Sequence, residues 1–214
     1  RLAVFPDPLP EPAIALMPVI VGAGQVERRL PGSSVETVPG RPADAMPGRP
    51  AGVLVLLYPD ADGIARVILT ERASRDGHHS GEVSFPGGKA ESHDADIFAT
   101  ALREAAEEVG LDAMAAGVRV VGLLERFPIP VSDFVVTPVV ALAARRPVLV
   151  ASEREVARIV EPPVTAFLPD ASITIVERTI DGWPLRYGAY DVDGLSVWGA
   201  TARILSQLGS VLAG

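Results

Sequence analysis

The segment Arg103-Glu104-Ala105-Ala106-Glu107-Glu108-Val109-Gly110-Leu111 decides how this sequence is interpreted. It closes a stretch from about residue 96 to 109 whose pattern predicts a helix, with Gly110 as the C-terminal cap. At about 100° per residue, the three glutamates fall on one arc of that helix. A roughly opposite arc is apolar and predicts the buried face; it comprises Phe98, Ala101, Leu102, Ala105 and Val109. The helix therefore presents three carboxylates on one side and packs with the other.

The closeness of the three glutamates calls for an explanation. Like charges within one helical turn repel each other by about a few tenths of a kcal/mol per pair, and Arg103 is the one cation beside them in the sequence. A bound cation is one explanation, and a solvated acidic face is the other. The helix alone does not separate these two interpretations.

The loop ahead of the helix favours the bound cation. Gly87-Gly88 in Phe85-Pro86-Gly87-Gly88 allows a close approach of the backbone, and its carbonyls can join carboxylates as hard oxygen ligands for Mg²⁺ or Mn²⁺. Divalent ions held there would clamp a pyrophosphate and lower the pKa of a coordinated water. Lys89, directly after the loop, can supply a point charge to a phosphate oxygen.

Composition agrees with this chemistry. The chain has 214 residues and no cysteine, which excludes disulfides, cysteine metal sites and thiol nucleophiles. With 27 acidic and 19 basic side chains the net charge is -8, which argues against nonspecific binding to nucleic acid or to an anionic membrane. The apolar stretch 13–24 contains a proline and is too short to span a membrane, and it lacks the flanks of a signal peptide. We therefore expect a cytoplasmic protein that contacts neither nucleic acid nor membrane.

The order of predicted elements indicates an α+β fold. Residues 1–50 hold ten of the 20 prolines and are interpreted as an extended arm, partly ordered at best. Beyond this arm we predict strands at 53–58, 65–70, 118–124, 135–142, 172–178 and 185–192, and helices at 96–109, near 153–160 and at 198–212. Hairpins mixed with helices favour this class over a regular βαβ winding.

The motif around the helix resembles the Nudix box of the pyrophosphohydrolases that cleave nucleoside diphosphates linked to another moiety. Gly88 and the segment 103–111 match that box. Two features differ: the box usually has Glu at the position of Asp94, and it usually has seven residues between that position and the arginine, where this chain has eight. The longer spacer resembles the coenzyme A pyrophosphatase branch. Further segments similar to that branch are 69–73, 81–88, 132–140, 153–156 and 198–205. The branch signature usually has an arginine where Gly77 stands, with Arg75 two positions earlier, which puts substrate specificity in doubt more than the metal site.

The resemblance implies roles for individual residues. Glu104 and Glu108 would be metal ligands, Glu107 a ligand through water or a base, and Arg103 would orient Glu107 by a bidentate pair. The Gly88 carbonyl would complete the inner shell.

The remaining candidate residues are assigned partly by this resemblance and partly from their own positions in the sequence. Glu155, or less favourably Glu153, would approach the metals or activate the water, with a solvated helix residue as the alternative. Arg72, Arg75 and Lys89 would bind the substrate, whereas Asp94 is interpreted as the helix N-cap rather than a catalytic group. The histidines are interpreted as loop residues, with His78 or His79 as a second choice of phosphate donor.

Together these expectations describe a Pro-rich arm (1–50) followed by a Nudix domain (51–214), an α/β/α sandwich around a mixed β-sheet. The implied reaction is Mg²⁺- or Mn²⁺-dependent hydrolysis of coenzyme A or its derivatives to 3′,5′-ADP and 4′-phosphopantetheine. The alternatives are a Nudix hydrolase of ADP-ribose, a dinucleotide or an oxidised nucleotide, and a Nudix module that binds a nucleotide without cleaving it. The partner is a small nucleotide-pyrophosphate, and a homodimer is possible.

Overall fold

The computed structural model describes residues 5–21, 27–29, 48–73, 82–129, 132–180 and 182–214. The strands are β1 (Val19–Val21), β2 (Glu27–Arg29), β3 (Arg49–Pro59), β4 (Ala65–Val67), β5 (Leu69–Arg72), β6 (Val83–Ser84), β7 (Gly87–Lys89), β8 (Val118–Leu123), β9 (Phe127–Ile129), β10 (Phe134–Ala143), β11 (Val156–Val160), β12 (Thr174–Ile180), β13 (Trp183–Val192) and β14 (Leu195–Val197). The α-helices are α1 (Ile97–Val109), α2 (Ala113–Ala116) and α3 (Gly199–Ala213), and short 3₁₀ helices span Ile14–Leu16 and Val164–Phe167.

A mixed six-stranded sheet forms the centre of the described fold. Its order is β4-β3-β10-β8, with β7 paired to β3 and β9 paired to β10. The pair β3 and β10 is parallel, and the other pairs are antiparallel. Both long central strands read as nearly continuous apolar runs, which is typical of strands covered on both faces.

The two faces of this sheet are covered by different helices. α1 buries Ala101, Ala105 and Val109 against one face, together with Leu54 and other residues of the sheet. α3 covers the opposite face with a larger cluster that includes Leu205 and Leu208. The predicted α+β class and the sandwich of helices around a mixed sheet are therefore confirmed.

The boundaries of α1 agree with the sequence at its end but not at its beginning. Gly110 caps the C-terminus with a left-handed backbone, φ 64°, as the pattern predicts. The N-cap is Asp96, whose carboxylate accepts the N–H of Ala99 at 2.8 Å. The interpretation of Asp94 as the cap is therefore wrong, since the chain turns into the helix two residues later.

The predicted helix near 153–160 is also wrong. After a turn, residues 156–160 form β11, which pairs antiparallel with β5. β-Branched side chains at Val156, Ile159 and Val160 suit a strand, and β5 supplies the partner. The predicted strand at 65–70 is two strands: β4 continues the central sheet, whereas β5 joins a three-stranded sheet in the order β11-β5-β6.

The N-terminal prolines do not keep the described part of this segment away from the core. Leu16 is 1% exposed, and β1 pairs with β13 in a five-stranded sheet. The N–H of Ala13 donates to the Ser206 hydroxyl at 2.9 Å, and the Gln207 amide donates to the Pro10 carbonyl at 3.0 Å. Residues 5–21 therefore pack along α3 and β13.

Candidate active site

The site forms where the C-terminal half of α1 faces the edge strand β7. A Cβ atom placed on Gly88 would lie 2.6 Å from the carboxyl carbon of Glu104 and 2.7 Å from both of its oxygens. Any side chain on Gly88 would therefore occupy the space of the carboxylate. The close approach predicted for the Gly-Gly loop is made here, by the backbone to a helix glutamate.

Glu108 lies one helical turn further on and is more deeply buried. Burial raises the pKa of its carboxyl to about 7. The N–H of Gly87 donates to the carboxylate and opposes this shift by favouring the ionised form. The negative charges of Glu104 and Glu155 raise the pKa further, and the positive charge of Arg72 lowers it. These opposing effects show that charged groups from α1, β5 and the start of β11 meet at one place.

The pKa of Glu104 is raised as well. Burial is the largest cause, Arg103 opposes it, and the negative charges of Glu107 and Glu155 add to it. Glu104 and Glu108 therefore both hold their negative charge at a cost in the metal-free protein.

Glu155 reaches the helix glutamates because the chain ahead of β11 is tied to the end of α1. The N–H of Val150 donates to the carbonyl of Val109 at 2.9 Å, and the N–H of Ser152 donates to the carbonyl of Glu108 at 2.8 Å. On the other side, the N–H of Ala73 donates to the Glu155 carbonyl at 2.9 Å. Glu155 is thus placed by backbone contacts from a strand end, and not from the helix that the sequence predicts.

Arg103 organises the acidic cluster. Its bidentate pair is made with Asp94, with Nε to Oδ1 at 2.9 Å and Nη2 to Oδ2 at 3.1 Å. Nη2 also donates to the Lys89 carbonyl at 3.1 Å, while Nη1 lies 2.9 Å from Glu104 Oε1 and 3.3 Å from Glu107 Oε1. The predicted contact between Arg103 and Glu107 is present, through Nη1 alone at 3.3 and 3.4 Å from the two carboxylate oxygens, whereas the pair made by two nitrogens is with Asp94.

Asp94 is the residue whose role sequence reasoning missed. Its carboxylate is 4% exposed and also accepts the N–H of Glu91 and the hydroxyl of Thr100, both at 2.9 Å. The Arg103 guanidinium and these hydrogen bonds hold the pKa of Asp94 well below its usual range. The motif has an acidic residue at this position, and this feature of the sequence could have indicated a role beyond capping.

The candidate substrate residues are not all in one place. Arg72 lies at the end of β5, close enough to Glu108 to lower its pKa. Lys89 follows Gly88 in β7, so its side chain points to the opposite face of the strand, where it pairs with Glu91 at 3.1 Å. Arg75 and Gly77 lie outside the described residues, as do His78 and His79. His93 is exposed, with Nε2 3.8 Å from Asp94 Oδ1.

A comparison with known protein families identifies the family of this chain. The sequence model of the NUDIX domain matches residues 48–169, more than half of the chain. The chain belongs to the Nudix family. The match contains β3, the Gly-Gly edge and the whole of α1, and therefore covers Glu104, Glu107 and Glu108.

Named Nudix relatives agree with this assignment. The chain is 40% identical to Nudix hydrolase 22, chloroplastic, of Arabidopsis thaliana, over 75% of this chain and 54% of the relative. It is also 40% identical to Nudix hydrolase 15, mitochondrial, of the same plant, over 74% and 57%. The uncharacterized Nudix hydrolase NudL of Citrobacter koseri is 37% identical over 66% and 72%. The chain spans little more than half the length of the two plant relatives.

The fold agrees with that of a solved Nudix structure. RenU, a Nudix hydrolase from M. smegmatis, superposes with a TM-score of 0.55 at 20% identity, over 91% of this chain and 94% of that one. At this identity the likeness concerns the fold. No described helix of this Nudix chain is long and apolar enough to cross a membrane. The cytoplasmic location stays a prediction, and the names of the two plant relatives place those proteins in the chloroplast and the mitochondrion.

Nudix membership implies a divalent cation, and the donor groups suit one. Within the described ranges no three acidic or histidine side chains converge closely enough to enclose an ion as they stand. Glu104 is turned toward Arg103 and Glu108 toward the N–H of Gly87. Both carboxylates nonetheless lie beside the Gly87-Gly88 edge. Carboxylate and carbonyl oxygens are the ligands that Mg²⁺ and Mn²⁺ prefer.

Glu108→Gln is expected to stabilise the metal-free protein at about pH 8. The carboxyl has a pKa of about 7 in the folded chain and 4.5 as its ordinary value, so the folded state binds this proton more tightly. Below about pH 4.5 Glu108 is largely protonated in both states and has little effect on the free energy of unfolding. As the pH rises from about 4.5 through about 7, the ionisation of Glu108 lowers the free energy of unfolding. Glutamine does not ionise and can still accept the N–H of Gly87. The gain at about pH 8 should be on the order of 1–3 kcal/mol.

Thermal unfolding in EDTA at about pH 8 and about pH 5 measures this difference. A higher Tm of the variant, by ~2–4 °C per kcal/mol, should appear at the higher pH and shrink at the lower one. Glu107→Gln is the matched control, because its side chain is 59% exposed on the same helix. Equal Tm values for Glu108→Gln and the wild type at about pH 8 would contradict the burial of the charge.

Proposed function

We propose that the chain is a divalent-metal-dependent pyrophosphohydrolase that cleaves coenzyme A or its derivatives to 3′,5′-ADP and 4′-phosphopantetheine. The observation that carries the reaction type is the meeting of Glu104, Glu108 and Glu155 at the Gly87-Gly88 edge. The helix α1, the strand β7 and the chain just ahead of β11 bring acidic groups and glycine backbone together there, at a cost in charge repulsion that a bound cation would offset.

The residues that would hold the metal are Glu104 and Glu108, with the carbonyl of Gly88 and with Glu107 through water. A bound divalent cation there neutralises charge on the phosphates and lowers the pKa of a coordinated water. Arg103 stays fixed on Asp94 and keeps Glu104 and Glu107 in place.

Hydrolysis at this site needs no covalent enzyme intermediate. Oxygen of a water bonds to one phosphorus, the bridging P–O bond breaks, and the bridging oxygen leaves with the other phosphate. Glu155 would accept the proton of the attacking water, and the backbone contacts that hold its segment to α1 and β5 support this role. Arg72, beside Glu108, would offset charge on the phosphate oxygens.

The choice of coenzyme A rests on sequence features of the branch. These are the eight-residue spacer before Arg103, the segments 69–73 and 81–88, and the later segments 132–140, 153–156 and 198–205. The described residues of the first two segments include β5, β6 and the start of β7, beside the acidic cluster. Gly77, in place of the usual arginine, is the reason to test other substrates.

A product assay tests the proposal. Coenzyme A, ADP-ribose, NADH and a nucleoside triphosphate are offered at equal concentration, with Mg²⁺, with Mn²⁺ and with EDTA. We expect 3′,5′-ADP and 4′-phosphopantetheine as the main products, formed only with metal. Preferential cleavage of ADP-ribose or NADH would show that the proposed substrate is wrong and the proposed type of reaction is right. Binding of a nucleotide with no product in either metal would favour a non-catalytic Nudix module.

A further inference from the structure

A cavity of about 550 Å³ lies on the five-stranded sheet, apart from the acidic cluster. The described residues that line it belong to the segment 14–17 and to the strands β1, β12 and β13. The acidic cluster belongs to α1, β5, β7 and the chain ahead of β11, so the two places share no element. Cavities of roughly 300–1,000 Å³ are typical of small-molecule sites. This cavity is therefore a second place at which a ligand can bind.

The floor of the cavity is one face of the five-stranded sheet. Val19 stands opposite Arg186 in the pairing of β1 with β13, and Ile175 stands opposite Gly188 in the pairing of β12 with β13. Opposite residues share a face, and so do Arg186 and Gly188, which are two residues apart on one strand. This face therefore presents two β-branched apolar side chains beside one arginine.

The short 3₁₀ helix Ile14–Leu16 forms the wall above this floor and is firmly anchored. A Cβ atom on Gly188 would lie 2.5 Å from the carbonyl oxygen of Ala15, so the helix rests directly on β13. Leu16 is buried in the core, and the N–H of Ala13 donates to the Ser206 hydroxyl of α3. Because the wall is held by these contacts, the cavity is formed before a ligand binds, and binding costs little ordering.

Apolar side chains remain exposed at the edge of the cavity. Ile14 is 75% exposed and Ile175 is 55% exposed, although they come from distant parts of the chain. Met17 also lines the cavity. Exposed apolar side chains that are scattered singly need no explanation, whereas a group of them beside a cavity marks a binding surface. The ligand that suits this surface is apolar over most of its length.

Arg186 gives the cavity one charged end. Its side chain is 36% exposed, and Nη1 lies 3.9 Å from the Glu177 carboxylate, a long distance for an ion pair. A guanidinium has five N–H donors and can bind more than one acceptor, with a preference for carboxylate or phosphate. The apolar wall and the single cation together match an alkyl chain that ends in a carboxylate.

The small extent of the apolar surface favours a small molecule over a second copy of the chain. A stable protein interface buries roughly 800 Å² per partner, far more than two isoleucines and a methionine supply. An alkyl carboxylate, in contrast, needs only the cavity itself and one cation.

We infer that this cavity binds an alkyl carboxylate of medium length, with the chain against Ile14, Met17 and Ile175 and the carboxylate on Arg186. This ligand site goes beyond the proposed function and does not depend on it, because no residue of the acidic cluster lines the cavity. Binding should therefore be the same in the wild type and in Glu104→Gln.

Calorimetry with decanoate near neutral pH, below its critical micelle concentration, tests the inference. We expect decanol to bind the wild type about tenfold more weakly than decanoate, because it lacks the charge. Arg186→Met should lower the affinity for decanoate about tenfold and leave that for decanol unchanged. Octanoate should bind roughly tenfold more weakly than decanoate, because it buries two fewer methylene groups. Ile175→Ser should weaken decanoate and decanol equally.

Two further variants serve as controls. Arg178→Met removes a cation from the opposite face of β12, where Arg178 stands across from Leu185, and should bind decanoate like the wild type. Equal Tm values for the variants and the wild type would show that the fold is intact. Absence of saturable decanoate binding, or an equal affinity in Arg186→Met and the wild type, would overturn the inference. So would a dimer in sedimentation that Ile14→Ser converts to a monomer, because a second copy would then cover the cavity.

Discussion

Glu104→Gln is expected to lower metal-dependent turnover by roughly 10³-fold, about 4 kcal/mol of transition-state stabilisation, in a protein that still folds. Glutamine has the shape of glutamate but no charge, so it fills the space beside Gly88 without holding a divalent cation. The fold should survive because the charge of Glu104 is a cost in the metal-free chain, where burial raises its pKa. The measurement is product formation from coenzyme A across a range of Mg²⁺ and Mn²⁺ concentrations.

Two comparisons make this result specific. Glu177→Gln removes a carboxylate from the exposed strand β12 and should leave turnover unchanged. Thermal unfolding should show that Glu104→Gln is at least as stable as the wild type. A loss of activity then cannot be attributed to unfolding. Turnover within about threefold of the wild type would remove Glu104 from the metal site.

The site helix is the part of the fold that the sequence predicts best. Its apolar face, its acidic face and its capping glycine are all local features, and α1 ends at Val109 with Gly110 as predicted. The beginning of the helix is harder, because Asp94 and Asp96 are both suitable caps. The choice depends on where the backbone turns into the helix. In the structure Asp96 caps the helix and Asp94 pairs with Arg103.

Glu155 shows what local patterns leave undetermined. The segment 153–160 carries no strong period, and its strand forms because β5 offers unpaired backbone groups from a distant part of the chain. The same pairing, with the contacts of Val150 and Ser152 to α1, brings Glu155 to the helix glutamates. A residue spacing cannot predict this approach, because it depends on three separate elements meeting. The family resemblance indicated Glu155 as a candidate, but it did not show how this residue comes close to the helix glutamates.

The adjacent glycines of the box should respond differently to the same substitution. Gly88 lies in β7 with an ordinary strand backbone, and the atoms that an added Cβ would meet are the carboxyl group of Glu104. That group ends a flexible side chain and can move away at little cost. Gly88→Ala should therefore fold nearly as well as the wild type and lose roughly 10²-fold in turnover, because the displaced carboxylate no longer meets its metal.

Gly87→Ala should act on the fold instead. Its Cβ would lie 2.5 Å from the carbonyl oxygen of Gly52 and 2.6 Å from the Cα of Val53. Those atoms are backbone in the middle of β3, so β7 would have to separate from β3, at about 1–3 kcal/mol or more. Thermal unfolding and turnover measured on both variants separate the two effects. A stable Gly88→Ala with full activity would show that the Glu104 carboxylate works from another position, because the new methyl group and the carboxylate cannot share the space that they occupy in this fold.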